Sequence, residues 1–250
     1  MSDTSEKRRT RKAVEGVGQA ISAQRAGWSF GGNVADTFVS HVRQSVPYYE
    51  DGHDLICQVS DFFCHKDSVC YELGVSTGEL LRKLAEHNAH KPEIEWIGID
   101  SEEPMAKKAR QHCAEIPNIT IDQADVRLYD LRKSDFIVSY YCIQFIPPRY
   151  RQELIDKIYE SLNWGGAFVL FEKVRGPDAR FQDMMVSLYN DFKSRNGFSS
   201  DEILNKSRSL KGVMEPFSTA GNLGLLERAG FTDVMPLMKY VCFEGYIAIK

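Results

Sequence analysis

The sequence predicts an α/β fold, a mostly parallel sheet closed by a C-terminal antiparallel hairpin, with an N-terminal helical cap and a helical insert. Three observations carry this. From Ser68 onward, strand-like and helix-like runs alternate, the pattern of crossover units whose strands lie parallel. The strand-like runs are nearly continuously apolar, as strands buried on both faces must be. At the C-terminus only Val241 and Cys242 separate the runs Asp233 to Tyr240 and Phe243 to Ile249. That is too short for a crossover, so these two strands pair antiparallel.

Ser68 to Val75 is a short first strand that ends in a glycine-containing turn. Glu79 to His87 is a helix with Leu80, Leu81, Leu84 and Ala85 on one face. Glu95 to Asp100 is the second strand, succeeded by a helix from Pro104 to Ala114. Asn118 to Asp122 and Asp135 to Cys142 are the third and fourth strands. A helix from Arg149 to Leu162 is expected to stop at Asn163-Trp164-Gly165-Gly166, because glycines suit a helix end. Ala167 to Val174 is the fifth strand, and Asn222 to Ala229 the last helix. Residues 26–60 read as a helical cap. Residues 178–214 interrupt the sheet order, a length that marks a lid or a dimerisation insert.

With 250 residues, 43% hydrophobic and 26% charged, the chain has the balance of a globular protein. We read residues 26–250 as one domain and residues 1–25 as a flexible basic tail carrying Lys7, Arg8, Arg9, Arg11 and Lys12. A secretion signal would place an apolar stretch after those charges; Glu15, Gln19, Gln24 and Arg25 interrupt it, so the tail is not one. No apolar run approaches the ~20 residues of a membrane span, and no membrane partner is expected. None of the six cysteines forms a C-x-x-C pair, which argues against zinc or redox chemistry and for reduced thiols in a cytoplasmic protein. The net charge of −4 offers no basic stripe, so nucleic acid is not expected as a partner.

The turn after the first strand admits three readings. A dinucleotide fingerprint, G-x-G-x-x-G, fails because Ser76 and Glu79 replace two of its glycines. A G-x-S-x-G nucleophile elbow matches Gly74 to Gly78 letter for letter, but needs a histidine further along, and the last is His112. The third reading uses the preceding acid. Tyr71-Glu72-Leu73-Gly74-Val75-Ser76-Thr77-Gly78 resembles the first motif of the class I S-adenosylmethionine-dependent methyltransferases, with Ser76 in place of the middle glycine. That resemblance implies a Rossmann-like sheet, S-adenosylmethionine as cofactor, S-adenosylhomocysteine as product, and no metal.

The chemistry fits the residue types. Gly74 and Gly78 let the backbone approach a ligand closely, and amides near a helix N-terminus can meet a carboxylate. Glu72 can accept from the cofactor ammonium. Asp100, ending the second strand, can accept both ribose hydroxyls, and Asp125, after the third, can accept from the adenine amino group. Three acids at successive strand ends are placed where open parallel sheets bind ligands.

The similarity extends over roughly Trp28 to Lys250. Gly27-Trp28-Ser29-Phe30, Gln44 to Tyr49, Ile99-Asp100-Ser101, Gln144-Phe145, Asp156 to Tyr159, Leu162 to Ala167, Glu172-Lys173, Asp191-Phe192-Lys193 and Asn196-Gly197 all resemble the carboxy-S-adenosylmethionine synthases. These supply carboxy-S-adenosylmethionine for tRNA wobble-uridine modification. The resemblance implies cofactor contacts at Tyr49, Gly74, Val75, Ser76, Asp100, Ser101, Asp125 and Val126, and a homodimer. Two positions depart. Tyr140 stands where the family has a cofactor-contacting asparagine, and Ser207 where it has the arginine that holds the extra carboxylate. Arg208 is one residue late, about 100° round a helix, and is the candidate substrate-binding replacement.

These departures favour an ordinary methyltransferase acting on a small-molecule acceptor. Tyr140 and Tyr141 are its candidate catalytic residues, an aromatic face near the sulfonium contributing roughly 0.5–2 kcal/mol. Strand alternation predicts that only one of the two lines the pocket, with Tyr140 also a cofactor contact. The alternatives are the family's own reaction, with prephenate as carboxyl source, and a non-catalytic cofactor-binding partner subunit. Phe181, Met184, Met185, Leu188, Tyr189 and Phe192 recur at helical spacing in the insert and supply the expected dimer face.

Overall fold

The computed structural model describes residues 34–250, so the basic tail, the segment Gly27 to Phe30 and the start of the cap lie outside the described residues. Among the described residues, two helices precede the sheet, α1 (Val34–Ser45) and α2 (Tyr49–Ser60). Then come β1 (Val69–Leu73), α3 (Glu79–His87), β2 (Glu95–Asp100), α4 (Glu103–His112), β3 (Ile119–Gln123), β4 (Ser134–Tyr140), α5 (Pro148–Ser161) and β5 (Leu162–Lys173). The insert is two helices, α6 (Ala179–Arg195) and α7 (Ser200–Ser209). The chain closes with α8 (Thr219–Ala229), β6 (Asp233–Tyr240) and β7 (Phe243–Ile249).

The seven strands lie in the order β3-β2-β1-β4-β5-β7-β6. The pairs β1·β2, β1·β4, β2·β3 and β4·β5 are parallel, and β7 runs antiparallel to both β5 and β6. The central strands bury both faces. Cys70, Trp96, Phe136 and Val138 pack under α2, α3 and α4. Tyr71, Ile97, Ile137, Phe168 and Leu170 pack against α5 and α8. This two-sided burial is why the strands read as apolar runs in sequence. Strand order reverses between β1 and β4, so the loops leaving their C-terminal ends diverge and open a crevice.

Helix α5 stops within one residue of the expected place, but Asn163 to Gly166 are strand rather than a helix end, so β5 begins earlier than the expected Ala167. The helix ends at Ser161, Leu162 is already extended, and β5 begins there, paired through Leu162 with Ser134. Gly165 takes a left-handed φ of 79°, its amide donates to Lys250 O at 2.9 Å, and Lys250 N returns to Gly166 O at 3.0 Å. Pairing with the far C-terminus thus uses these glycines for a strand irregularity. The insert helices are capped by side chains: Asp178 accepts from Phe181 N, and Ser199 with Glu202 closes a capping box.

Candidate active site

The C-terminal ends of β1 to β5 converge on one cavity of about 660 Å³, roofed by α1, α2, α6 and α7. That volume is ordinary for a small-molecule site. Its floor is the β1–α3 turn. Gly74 has φ 77°, Ser76 φ 52° and Gly78 φ 84°. Gly74 N and Val75 N both donate to Ile99 O, at 2.8 and 3.0 Å, which ties the turn to β2. Ser76 N donates to Asp100 Oδ2 at 2.8 Å, and Gly78 N to Val75 O at 2.9 Å. These four amides are all taken up inside the protein; the amides of Thr77, Glu79 and Leu80 at the helix start are not among them. Gly78 is also not on the cavity wall. It starts α3 and touches α4, where a Cβ would lie 3.2 Å from Ala109 Cα.

Glu72, Gly74, Val75, Ser76, Asp100, Ser101, Asp125, Val126 and Tyr49 all line the cavity. Glu72 is buried, and Oε2 has no hydrogen-bond partner. Burial holds its carboxyl well above the usual range, the Leu81 amide opposes this, and the Asp100 charge adds to it. A ligand ammonium would satisfy that oxygen. Asp100 accepts from Ser76 N and, at 3.0 Å, from Glu102 N, while burial raises its pKa. Asp125 is clamped by Arg127 through Nε and Nη2, and the guanidinium holds its carboxyl below the usual range. An orphaned carboxylate oxygen, a second acid with spare lone pairs and a glycine floor fit an amino-acid nucleoside such as S-adenosylmethionine.

Both tyrosines reach the cavity, against the expectation of one. β4 ends at Tyr140, and Tyr141 takes a left-handed φ of 59°, which breaks the alternation of faces. The Tyr140 hydroxyl donates to Tyr49 O at 2.8 Å. Its ring presses on α2 so closely that a Cβ at Gly52 would lie 3.1 Å from Cζ. The Tyr141 hydroxyl is buried without a partner, and its ring packs edge-on against Phe243. Nearby, burial pushes the Glu172 carboxyl up to about 8, opposed by Arg151 and by amides of Gln144 and Ile143, so Glu172 anchors the turn after Tyr141.

Arg208 is not at the site. It is exposed, whereas Lys206 and Ser207 line the cavity. Helical phase decides this: one residue of rotation turns position 208 outward. The cations that do face the cavity include Lys173 at the end of β5, Lys193 of α6 and Lys206 of α7. Lys193 is 5% exposed. Tyr189 lies between two of them, with Lys173 Nζ 4.3 Å and Lys193 Nζ 4.4 Å from its ring centre. Lys206 contacts His41 Nε2 and lies 3.3 Å from Ser45 Oγ. The basic bias of the insert (Arg175, Arg180, Lys193, Arg195, Lys206, Arg208 and Lys211) reads in sequence as either a face for an anionic substrate or a solvated helix face. Of these, Arg175, Lys193, Lys206 and Lys211 line the cavity, and Met185, Tyr189 and Lys193 fall at i, i+4, i+8. Among the described residues, no group of histidine, cysteine and acid side chains could hold a metal ion.

The family pattern described as a methyltransferase domain matches residues 71–166, which span the turn, the three acids and both tyrosines. The carboxy-S-adenosyl-L-methionine synthase of Staphylococcus epidermidis is 36% identical over 224 residues, covering 89% of this chain and 97% of that protein. The chain belongs to the carboxy-S-adenosyl-L-methionine synthase family. With its methyltransferase domain it is an enzyme, a transferase that uses S-adenosylmethionine. The fold is that of class I methyltransferases. A putative O-methyltransferase from Nostoc punctiforme superimposes with a TM-score of 0.64 at 16% identity, over 92% of this chain and 64% of that one. The magnesium protoporphyrin IX methyltransferase of Synechocystis, with bound S-adenosylhomocysteine, does so with 0.62 at 12%, over 88% and 96%. No helix of the described residues is long and apolar enough to cross a membrane.

Proposed function

We propose that the enzyme transfers the methyl group of S-adenosylmethionine to a small-molecule acceptor held in the same cavity. The observation that carries the choice of group is Ser207 on the cavity wall, where the resemblance puts a carboxylate-binding arginine. Glu72 would take the cofactor ammonium, Asp100 the ribose, and Asp125 with Val126 the adenine, with Tyr49 and Ser101 completing the contacts. S-adenosylmethionine supplies an electrophilic methyl on a sulfonium. The protein's share is to exclude water, align the acceptor and accept a proton where the acceptor carries one. Tyr140, its hydroxyl already committed to Tyr49 O, acts by its ring. Tyr141, with an unpartnered hydroxyl, is the side chain with a polar atom to spare for a reacting group.

The cavity lysines favour a second reading, the reaction named for the relatives, because they supply cationic charge that Ser207 does not. Incubation with S-adenosylmethionine and prephenate, then mass spectrometry, separates the two. We expect no carboxy-S-adenosylmethionine; robust formation of it would overturn methyl transfer in favour of the second reading.

Phe181, Met184 and Leu188 are about half exposed on the outer face of α6. They support a homodimer. The other half of the stripe faces inward: Met185 and Tyr189 line the cavity, and Phe192 packs on Tyr189 and Tyr240. Light scattering should give about twice 28.5 kDa, and a monomer mass at micromolar concentration would refute the dimer. The free cysteines Cys57, Cys64, Cys70, Cys113, Cys142 and Cys242 support a cytoplasmic location.

A further inference from the structure

The loop between β3 and β4, residues 124–133, puts Asp125 and Val126 on the cavity wall. It contains neither glycine nor proline, so contacts rather than backbone preference must hold its bend. Two sets of bonds do so. Inside the loop, Asp125 O accepts from Leu128 N at 2.9 Å and from Tyr129 N at 3.0 Å. From outside comes α5, whose Lys157 Nζ donates to the carbonyl oxygens of Val126 at 2.8 Å, Arg127 at 2.8 Å and Tyr129 at 3.0 Å. An ammonium has three protons, and this arrangement uses all of them. Lys157 itself is not on the cavity wall.

These bonds fix the direction of one amide. The peptide joining Asp125 to Val126 is trans, so its N–H points opposite to its C=O. Leu128 and Tyr129 hold that C=O inside the loop, which leaves the Val126 N–H facing out of it. Among the described residues this N–H makes no hydrogen bond. The Asp125 carboxylate is engaged by Arg127: Oδ1 accepts from the Arg127 backbone N at 2.9 Å and from Nε at 3.0 Å, and Oδ2 from Nε at 2.9 Å and from Nη2. The Val126 amide is thus the unengaged group of the pair. A fixed N–H donor suits a ring nitrogen that carries a lone pair and opposes one that carries a hydrogen.

We propose that Lys157 is a positioning residue for base selection: by collecting the carbonyls of Val126, Arg127 and Tyr129 it aims the Val126 N–H at the N1 atom of an adenine base. The assignment rests on the placing of adenine at Asp125 and Val126 and adds the residue that makes that place selective. Adenine offers N1 as an acceptor and its amino group as a donor. Hypoxanthine carries a hydrogen on N1 and an oxygen at C6. It therefore sets donor against donor at Val126 and acceptor against acceptor at Asp125, and the mismatch is what rejects it. Without the ammonium, three carbonyls lose their shared partner, the loop can turn, and the Val126 N–H is no longer held in one direction.

Calorimetry on the full chain with S-adenosylhomocysteine and with S-inosylhomocysteine, its hypoxanthine counterpart, tests this. The wild type should prefer the adenine compound by about tenfold or more, since a mismatched polar group costs more than a lost contact. In Lys157→Met that preference should shrink to about threefold or less, because adenine loses its directed bond and hypoxanthine loses its penalty. Lys157→Arg, which restores a cation and several donors, should keep most of it. A purely structural role would weaken both compounds by the same factor and leave the preference intact. Melting curves identify a variant that does not fold; Lys157→Gln, which retains two donors, then carries the test and should give a reduced preference. A wild-type preference in folded Lys157→Met or Lys157→Gln would overturn the role of Lys157. Equal binding of the two compounds by the wild type would overturn it together with the placing of adenine at Val126. A chain that binds neither compound would instead refute the cofactor reading itself.

Discussion

Asp100→Ala is expected to lower affinity for S-adenosylhomocysteine by about a hundredfold. The carboxylate sits at the end of β2, lines the cavity, and accepts backbone amides from Ser76 and Glu102. Its remaining lone pairs are the ones a ribose diol would use. Each hydrogen bond from a ligand to a charged group is worth about 1.5–3 kcal/mol, so losing even one costs about tenfold or more. The alanine also leaves two amides without their acceptor and frees the glycine turn to move. Asp100→Asn keeps one acceptor oxygen and should fall between the two. Isothermal titration decides it: wild-type affinity in Asp100→Ala would mean that β2 does not carry the ribose site.

Gly74→Ala should both destabilise the fold and abolish measurable cofactor binding. A left-handed φ of 77° costs a residue with a Cβ about 1–2 kcal/mol. The added methyl would also lie 2.6 Å from Cys142 Cβ, on the strand-end loop that carries Tyr141. Overpacking of that kind costs about 1–3 kcal/mol, and relief would push the turn and the tyrosine loop apart. The double variant Gly74→Ala, Cys142→Gly removes the clash and leaves the backbone strain. It should therefore recover part of the melting temperature. A single variant that melts and binds like wild type would show that the turn is not held against the β4 loop in solution.

The sequence is readable wherever the physics is local. Leu80, Leu81, Leu84 and Ala85 repeat at helical spacing and are buried on α3 as that spacing demands. Glu72, Asp100 and Asp125 are each recognisable as an acid at the end of an apolar run, and a parallel sheet brings all such ends to one edge. Asn163 to Gly166 misleads because the helix does stop before it, yet its pairing partner, Lys250, is more than eighty residues away, and that pairing makes the segment strand rather than a helix end. Tyr141 misleads because alternation assumes extended backbone, and its φ is 59°. Arg208 fails by helical phase alone. The lysine cluster was legible only in part: the basic bias of the insert includes Lys193 and Lys206, but only tertiary structure brings them onto one wall with Lys173.

The bond from Tyr189 to Ser45 O matters beyond the cavity. A helix leaves its last carbonyls without partners. For α1 those partners come from the insert: Ser45 O takes the Tyr189 hydroxyl, and Gln44 O takes Asn196 Nδ2 at 3.2 Å. The end of the first helix is thus completed by residues about 150 positions downstream. The insert is consequently not a detachable module. A chain trimmed between residues 178 and 214 would lose a cavity wall and, with it, the termination of a helix at the other end of the polypeptide. Grafting the insert onto another scaffold would have to carry α1 along.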